Sequence, residues 1–308
     1  KSFDEDFQVF DTENPACSVE SVPVSVNDRT RFIYEAACCG LRDFFVKNGY
    51  KKACVGVSGG IDSAVVACLA VAALGAENVR GLMMPSQFSS EGSVEDAKQL
   101  AENLGIEFHV VPITEAYRSI VDTLIPVIGG TDFDATEENI QSRIRTLMLM
   151  ALQNKNGYIL LNCSNKSENA LGICTLYGDT GGAFSVTGDL YKTEMYDLAR
   201  YINRKFGAPI PENILTKEPS SELRPNQKDS DMLPSYEVVD AILYRLIEDG
   251  QSREEIINAG FDSDEVQKIY AMVMRNEKKR FQYPPVLRLS SSSFGHEYRM
   301  PLTHKYVK

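Results

Sequence analysis

Residues Ser58-Gly59-Gly60-Ile61-Asp62-Ser63 lie where an apolar run, Ala53-Cys54-Val55-Gly56-Val57, gives way to a helical pattern from Asp62 to Leu74. Strand, glycine turn and helix start, in that order, confine this stretch to a strand–loop–helix unit with an anion site at its bend. Glycine lets backbone approach an anion closely. The first N–H groups of a helix lack partners, and the helix dipole favours negative charge beside them. Ser58 and Ser63 add hydroxyl donors. Asp62 would repel phosphates unless it holds a Mg²⁺ that bridges them. The run therefore reads as a site for a triphosphate and its metal. The plainer reading is a Gly-Gly turn followed by an ordinary helix start. A Walker loop is excluded because no Lys follows the glycines, and the pattern is not GxGxxG.

Periodicity extends this unit into an alternating series. Helical patterns span Arg29–Lys47, Val94–Leu104, Tyr117–Val127, Glu137–Asn154 and Lys192–Phe206. Apolar runs at Ala53–Ser58, Val79–Met84, Glu107–Pro112 and Tyr158–Cys163 read as strands. Such alternation predicts an α/β fold, a doubly wound parallel sheet with ligands at the carboxyl ends of its strands. After Phe206 the strands stop. A polar stretch from Pro209 to Asp231 leads to helices near Tyr236–Glu248, Arg253–Ala259 and Asp264–Phe281, a helical C-terminal part. The alternating segment Phe3–Phe10 reads as a strand without a nearby partner. With Lys1 in place of Met, it suggests a fragment of a longer polypeptide.

The chain has 308 residues and a net charge of −11. That balance argues against a nucleic-acid partner, which usually needs a basic face. No apolar run is long enough for a membrane span. Seven cysteines lack CxxC spacing, and three scattered histidines form no zinc pattern. The cysteine usage suits a reducing cytoplasm.

Further constellations fall at the expected strand ends. In Asn165-Lys166-Ser167-Glu168, Glu168 reads either as a second metal carboxylate opposite Asp62 or as the N3 residue of a capping box. Two glycine clusters surround Asp179 in the segment Tyr177 to Phe184. Lys192 opens a helix, where a cation is disfavoured unless an anion joins it, although a solvated surface lysine is also open. Lys217 to Asp229 reads as a lid over phosphates or as a solvated linker. Arg143 and Arg145 are two apart and do not share a helix face, so one can reach a ligand while the other pairs.

In this order, these features closely resemble the NAD synthetases of the N-type ATP pyrophosphatase superfamily, over about Arg29 to Tyr306. Segments such as Pro85-Ser86-Gln87-Phe88-Ser89-Ser90 and Leu223-Arg224-Pro225-Asn226-Gln227 look like the glutamine-dependent branch. The resemblance implies a Rossmann-like, adenine nucleotide alpha hydrolase-like fold over residues 21–308. Residues 1–20 are then a linker, the end of an upstream glutaminase domain. It implies ATP-dependent amidation of deamido-NAD through an acyl-adenylate, with ammonia as nucleophile and ATP, Mg²⁺ and a homodimer or higher homo-oligomer as requirements.

Residue by residue, the resemblance puts Ser58, Gly59, Gly60, Ile61, Asp62 and Ser63 on ATP phosphates, with Asp62 and Glu168 on Mg²⁺. Met84 and Gln87 border adenine. Cys163, Ser164, Lys192 and Ser220 complete the ATP site. Asn139, Arg143, Glu168 and Lys279 hold deamido-NAD, and Asp179 orients ammonia or accepts its proton. Cys163 departs from the Thr, and Leu176 from the Lys, of the ammonia-dependent form. Another amidating pyrophosphatase, such as a GMP or asparagine synthetase, and a non-catalytic adenine-nucleotide binder are the rival readings.

Overall fold

The computed structural model describes residues 2–7, 9, 29–129 and 132–305. Among them five parallel strands form one sheet: β1 (Lys52–Gly56), β2 (Val79–Met83), β3 (Glu107–Val110), β4 (Tyr158–Asn162) and β5 (Phe184–Ser185), in the order β3-β2-β1-β4-β5. The strand order reverses direction between β1 and β4, which opens a crevice at their carboxyl ends.

Alternate residues of each strand feed opposite layers, as pleating requires. Ala53 and Val55 of β1 and Leu161 of β4 join a core with α1 (Arg29–Lys47), α2 (Ile61–Leu74), α3 (Glu91–Leu104) and α7 (Lys192–Lys205). Cys54 and Leu160 point the other way, toward α4 (Thr114–Ile128) and α5 (Ala135–Asn156). Helix α2 is buried around most of its circumference from Ile61 to Ala70, so its run of small and apolar residues is the centre of the first layer.

The helical part packs separately. Helices α9 (Tyr236–Ile247), α10 (Arg253–Asn258) and α11 (Ser263–Arg275) bury Val239, Ile242, Leu243 and Ile269 against Ala170 and Leu171 of α6 (Lys166–Leu171). This attaches the helical part directly behind the crevice.

Several expectations need correction. The described residues of Phe3–Phe10 carry no strand; Phe3 packs edge-on against Phe32, and Gln8 and Phe10 lie outside the described residues, as do 10–28. Strand β5 lacks a periodic signal because it is two residues long; parallel pairing of Phe184 and Ser185 with Leu161 and Asn162 of β4 defines it, with Phe184 stacked on Phe44 at 4.2 Å. Helix α8 (Glu212–Thr216) interrupts the polar stretch after Phe206. The last expected helix is broken at Asn276, between α11 and α12 (Glu277–Arg280), where the Asn276 side chain bonds the Leu171 and Met272 carbonyls. Helix α3 starts at Glu91 rather than Val94, because Ser90 caps it by accepting from the Ser93 N–H.

Candidate active site

The crevice holds a cleft of about 320 Å³ above the carboxyl ends of β1, β2 and β4. Its floor is the turn from β1 into α2. Gly59 has φ +78, and a Cβ there would stand 2.2 Å from the Ser93 carbonyl oxygen. Only glycine fits, because the turn packs directly beneath the start of α3. Ser63 Oγ accepts from the Ser58 N–H and donates to the Gly60 carbonyl, both at 3.1 Å. Ser58 Oγ lies 3.1 Å from Ser63 Oγ and accepts from the Gly60 N–H. These bonds brace the loop from within. No side chain caps α2, so its dipole end opens onto the cleft.

Three charged side chains meet at this end. Lys192 Nζ donates to Asp62 Oδ2 at 2.6 Å and to Glu168 Oε1 at 3.4 Å. It also lies over the Tyr236 ring. Asn165 joins two tasks: its Oδ1 accepts from the Glu168 N–H while its Nδ2 donates to Asp62 Oδ1, both at 3.0 Å. The capping box on α6 is therefore present, and Glu168 faces Asp62 as well. The two readings of Glu168 are compatible, because its two carboxylate oxygens serve different partners. Burial, with Asp62 nearby, pushes the Glu168 carboxyl up to about 8, against the pull of Lys192. Burial would depress Lys192, but Asp62 and Glu168 outweigh it and hold the ammonium charged. Among the described residues no third Asp, Glu, His or Cys joins the pair as a metal-ligand group.

The walls come from distant parts of the chain. Met84, Cys163, Ser164 and Arg145 line one side. Arg145 Nε donates to the Met84 carbonyl at 2.9 Å, and burial pulls its guanidinium down to about 10. Asp179 lines the cleft wall and is open to it. Desolvation by the surrounding wall pushes its carboxyl up to about 6, although the Thr175 N–H donates to it at 2.7 Å and Lys279 is near.

The segment from Lys217 to Asp229 forms the roof. Glu222 accepts from Ser90 Oγ and Ser93 Oγ at 2.8 Å, which ties the roof to the start of α3. Ser220 lines the cleft but donates to the Gln227 carbonyl. Glu222 and Arg145 were not singled out as site residues by the sequence. The two-residue offset of Arg143 and Arg145 was the available signal, and the cleft-facing member is Arg145.

Five candidates do not line the cleft. Gly59 lies beneath it, and Gln87 is exposed on the loop after β2. Asn139, Arg143 and Lys279 instead each bond the 172–177 segment. Asn139 Oδ1 accepts from Thr175 Oγ1 at 2.6 Å, and Arg143 Nε donates to the Leu176 carbonyl at 3.2 Å. Lys279 Nζ donates to the carbonyls of Gly172 and Cys174. Six cysteines among the described residues are free thiols, and no helix there is long and apolar enough to cross a membrane.

A family model described as NAD synthase matches residues 33–283. A glutamine-dependent NAD(+) synthetase of Aquifex aeolicus is 52% identical over 276 residues, covering 90% of this chain and 48% of the relative. Among solved structures, the glutamine-dependent NAD+ synthetase of Acinetobacter baumannii in complex with ADP is 41% identical. It superposes with a TM-score of 0.62, over 92% of this chain and 51% of that one. The NMN synthetase of Francisella tularensis is 26% identical with a TM-score of 0.70, over 82% and 95%. The chain spans about half the length of the curated relatives it matches.

Proposed function

Because the chain belongs to the NAD synthase family, we propose that it amidates deamido-NAD to NAD with ATP, releasing AMP and pyrophosphate. The observation that carries this reading is the convergence of Asp62, Glu168 and Lys192 at the open N-terminus of α2. A carboxylate is a poor electrophile, and its oxygen is a poor leaving group. Attack of the nicotinate carboxylate on the α-phosphorus of ATP, with loss of pyrophosphate, corrects both. Ammonia then forms a C–N bond as the C–O bond to AMP breaks, and AMP leaves with the electron pair.

Each residue has a task in this scheme. Ser58, Gly60, Ile61 and Ser63 present the loop and helix donors to the triphosphate, with Gly59 shaping the turn. Lys192 balances charge that builds on the departing pyrophosphate. Met84, Cys163 and Ser164 border the nucleotide, and Ser220 reaches it from the roof. Asp179 takes the proton released as ammonia adds. Asn139, Arg143 and Lys279 hold the dinucleotide at the rim. The roof from Lys217 to Asp229 keeps water from the adenylate.

The residues present fit Mg²⁺. This ion binds through one or two carboxylates together with phosphate oxygens, which is the donor set that Asp62 and Glu168 offer. With no third protein ligand among the described residues, the fit is to an ion that arrives with ATP. When bound, it supplies charge neutralisation at the phosphates. We further propose cytoplasmic reaction, a homodimer or larger assembly, and an upstream glutaminase domain in the native polypeptide that supplies the ammonia.

The likeness to NMN synthetase supports a second reading, in which a pyridine mononucleotide is the acyl substrate. Both readings are tested by incubating the chain with ATP, Mg²⁺ and ammonium, together with deamido-NAD or nicotinate mononucleotide. NAD formation supports the first reading, and amidated mononucleotide in its place supports the second. No pyrophosphate with either sinks both. Replacing ammonium with glutamine should give no product, because the nitrogen donor requires the other domain.

A further inference from the structure

The turn Thr175-Leu176-Tyr177-Gly178 closes through a bond from the Gly178 N–H to the Thr175 carbonyl at 3.0 Å. Its third residue, Tyr177, has φ 64. That position calls for Gly or Asn, because a side chain there meets the backbone. A bulky residue in the left-handed region is an outlier. The chain places a glycine one residue later, yet the strained position carries a tyrosine. The Thr180 hydroxyl accepts from the Tyr177 N–H at 3.0 Å and helps to hold the conformation.

Packing does not explain the choice, since Tyr177 is 68% exposed. Its hydroxyl donates to Gln282 Oε1 at 2.6 Å, an exposed bond that fixes the ring without burying it. Strain maintained by neighbours is characteristic of ligand-contacting residues. The surroundings suit an anionic ligand with flat rings. Arg143 and Lys279 flank this segment, and both bond backbone carbonyl oxygens, with Asp179 the nearby carboxylate that shares the field of Lys279. Asp179, two residues on, lines the cleft, so rim and cleft are continuous.

Resting on the reading that deamido-NAD is the substrate, we infer that Tyr177 is a stacking platform for one of its planar heteroaromatic rings, with Arg143 and Lys279 beside its pyrophosphate. The ring is either the pyridine or the adenine, and the two are separable by experiment.

The test compares Y177G and Y177F with the wild-type chain. In Y177G the turn regains its preferred residue, so the thermal midpoint should hold or rise while KM for deamido-NAD rises about tenfold, the scale of one lost ring stack. KM for ATP should change less than twofold. Y177F keeps the ring and should recover most of the loss. A Y177G enzyme with unchanged KM overturns the inference. So does Y177F as impaired as Y177G, or a parallel rise in KM for ATP.

Nicotinate mononucleotide as a competitor identifies the ring. Weakening of both nucleotides by Y177G assigns the pyridine, and weakening of the dinucleotide alone assigns the adenine. Calorimetric titration of deamido-NAD without ATP separates this inference from the reading of function. A wild-type chain that binds but makes no NAD sinks that reading alone. Equal binding by wild type and Y177G sinks the platform, and no binding by the wild type sinks both.

Discussion

Lys192 and Asp62 lie 130 residues apart in the chain and meet at 2.6 Å, with Lys192 Nζ donating to Asp62 Oδ2. Each opens a helix, α7 and α2 respectively. A lysine at a helix start opposes the local dipole. Here Asp62 and Glu168 compensate it, and the ammonium is kept charged at the floor of the cleft.

Replacing Lys192 with Met keeps the length and removes the charge. Pyrophosphate release should fall at least about 100-fold, the usual cost of losing one charge-stabilising donor. Steady-state pyrophosphate formation at saturating ATP measures it. A Lys192→Met enzyme within about tenfold of wild type would show that the ammonium only fills space.

The Asp179 carboxyl, although open to the cleft, is raised from 3.8 to about 6 because the protein packed around it desolvates its charge. As a proton acceptor it must be ionised, so the active form is lost as pH falls through about 6. Rates should be compared at constant free ammonia, since ammonium also titrates. Under that condition turnover should drop tenfold per unit well below this value. Asp179→Asn should lose about 100-fold or more and flatten the profile. An unchanged acid limb in Asp179→Asn would remove Asp179 from the proton path.

Gly59→Ala places a Cβ 2.2 Å from the Ser93 carbonyl at a positive φ. The strain alone costs about 1–3 kcal/mol, and the clash with backbone adds to it. Urea unfolding should register at least about 2 kcal/mol of lost stability. ATP titration should show weakened binding, because loop and α3 must separate. Wild-type stability together with wild-type ATP affinity would contradict the close packing.

Lys166 is fully buried, with its Nζ 2.9 Å from Asp189 Oδ1 and bonded to Glu248 and Ser290. Asp189 in turn accepts from the Leu289 and Ser290 N–H groups. Lys166→Ala leaves two buried carboxylates unpaired, at an expected cost of about 3–5 kcal/mol. Chemical denaturation checks this, and a loss below about 1 kcal/mol would mean that the carboxylates find other partners.

Local chemistry made much of the architecture legible. The glycine run between a strand-like and a helix-like stretch located the turn at the cleft floor, because turn conformation and helix termini depend on near neighbours. The four longer strands and most long helices showed in their periodicity for the same reason. Strand β5 and the break at Asn276 did not. Ser185 becomes a strand residue by pairing beside Asn162 of β4, and Asn276 stops a helix by bonding Leu171 across the fold. Phe3–Phe10 failed in the opposite sense: its described residues alternate in sequence but form no strand.

The same division holds at the site. By itself the sequence determined the parallel α/β series and the glycine turn, and offered the capping box of Asn165 and Glu168 as one of two readings, all set by contacts within a few residues. Only the tertiary structure decided that Glu168 also faces Asp62, that Arg145 rather than Arg143 turns into the cleft, and that Glu222 fastens the roof to Ser90 and Ser93. Those relationships depend on which strand ends lie side by side in the sheet. That order is set by burial of whole faces against two helix layers and is encoded in no single segment.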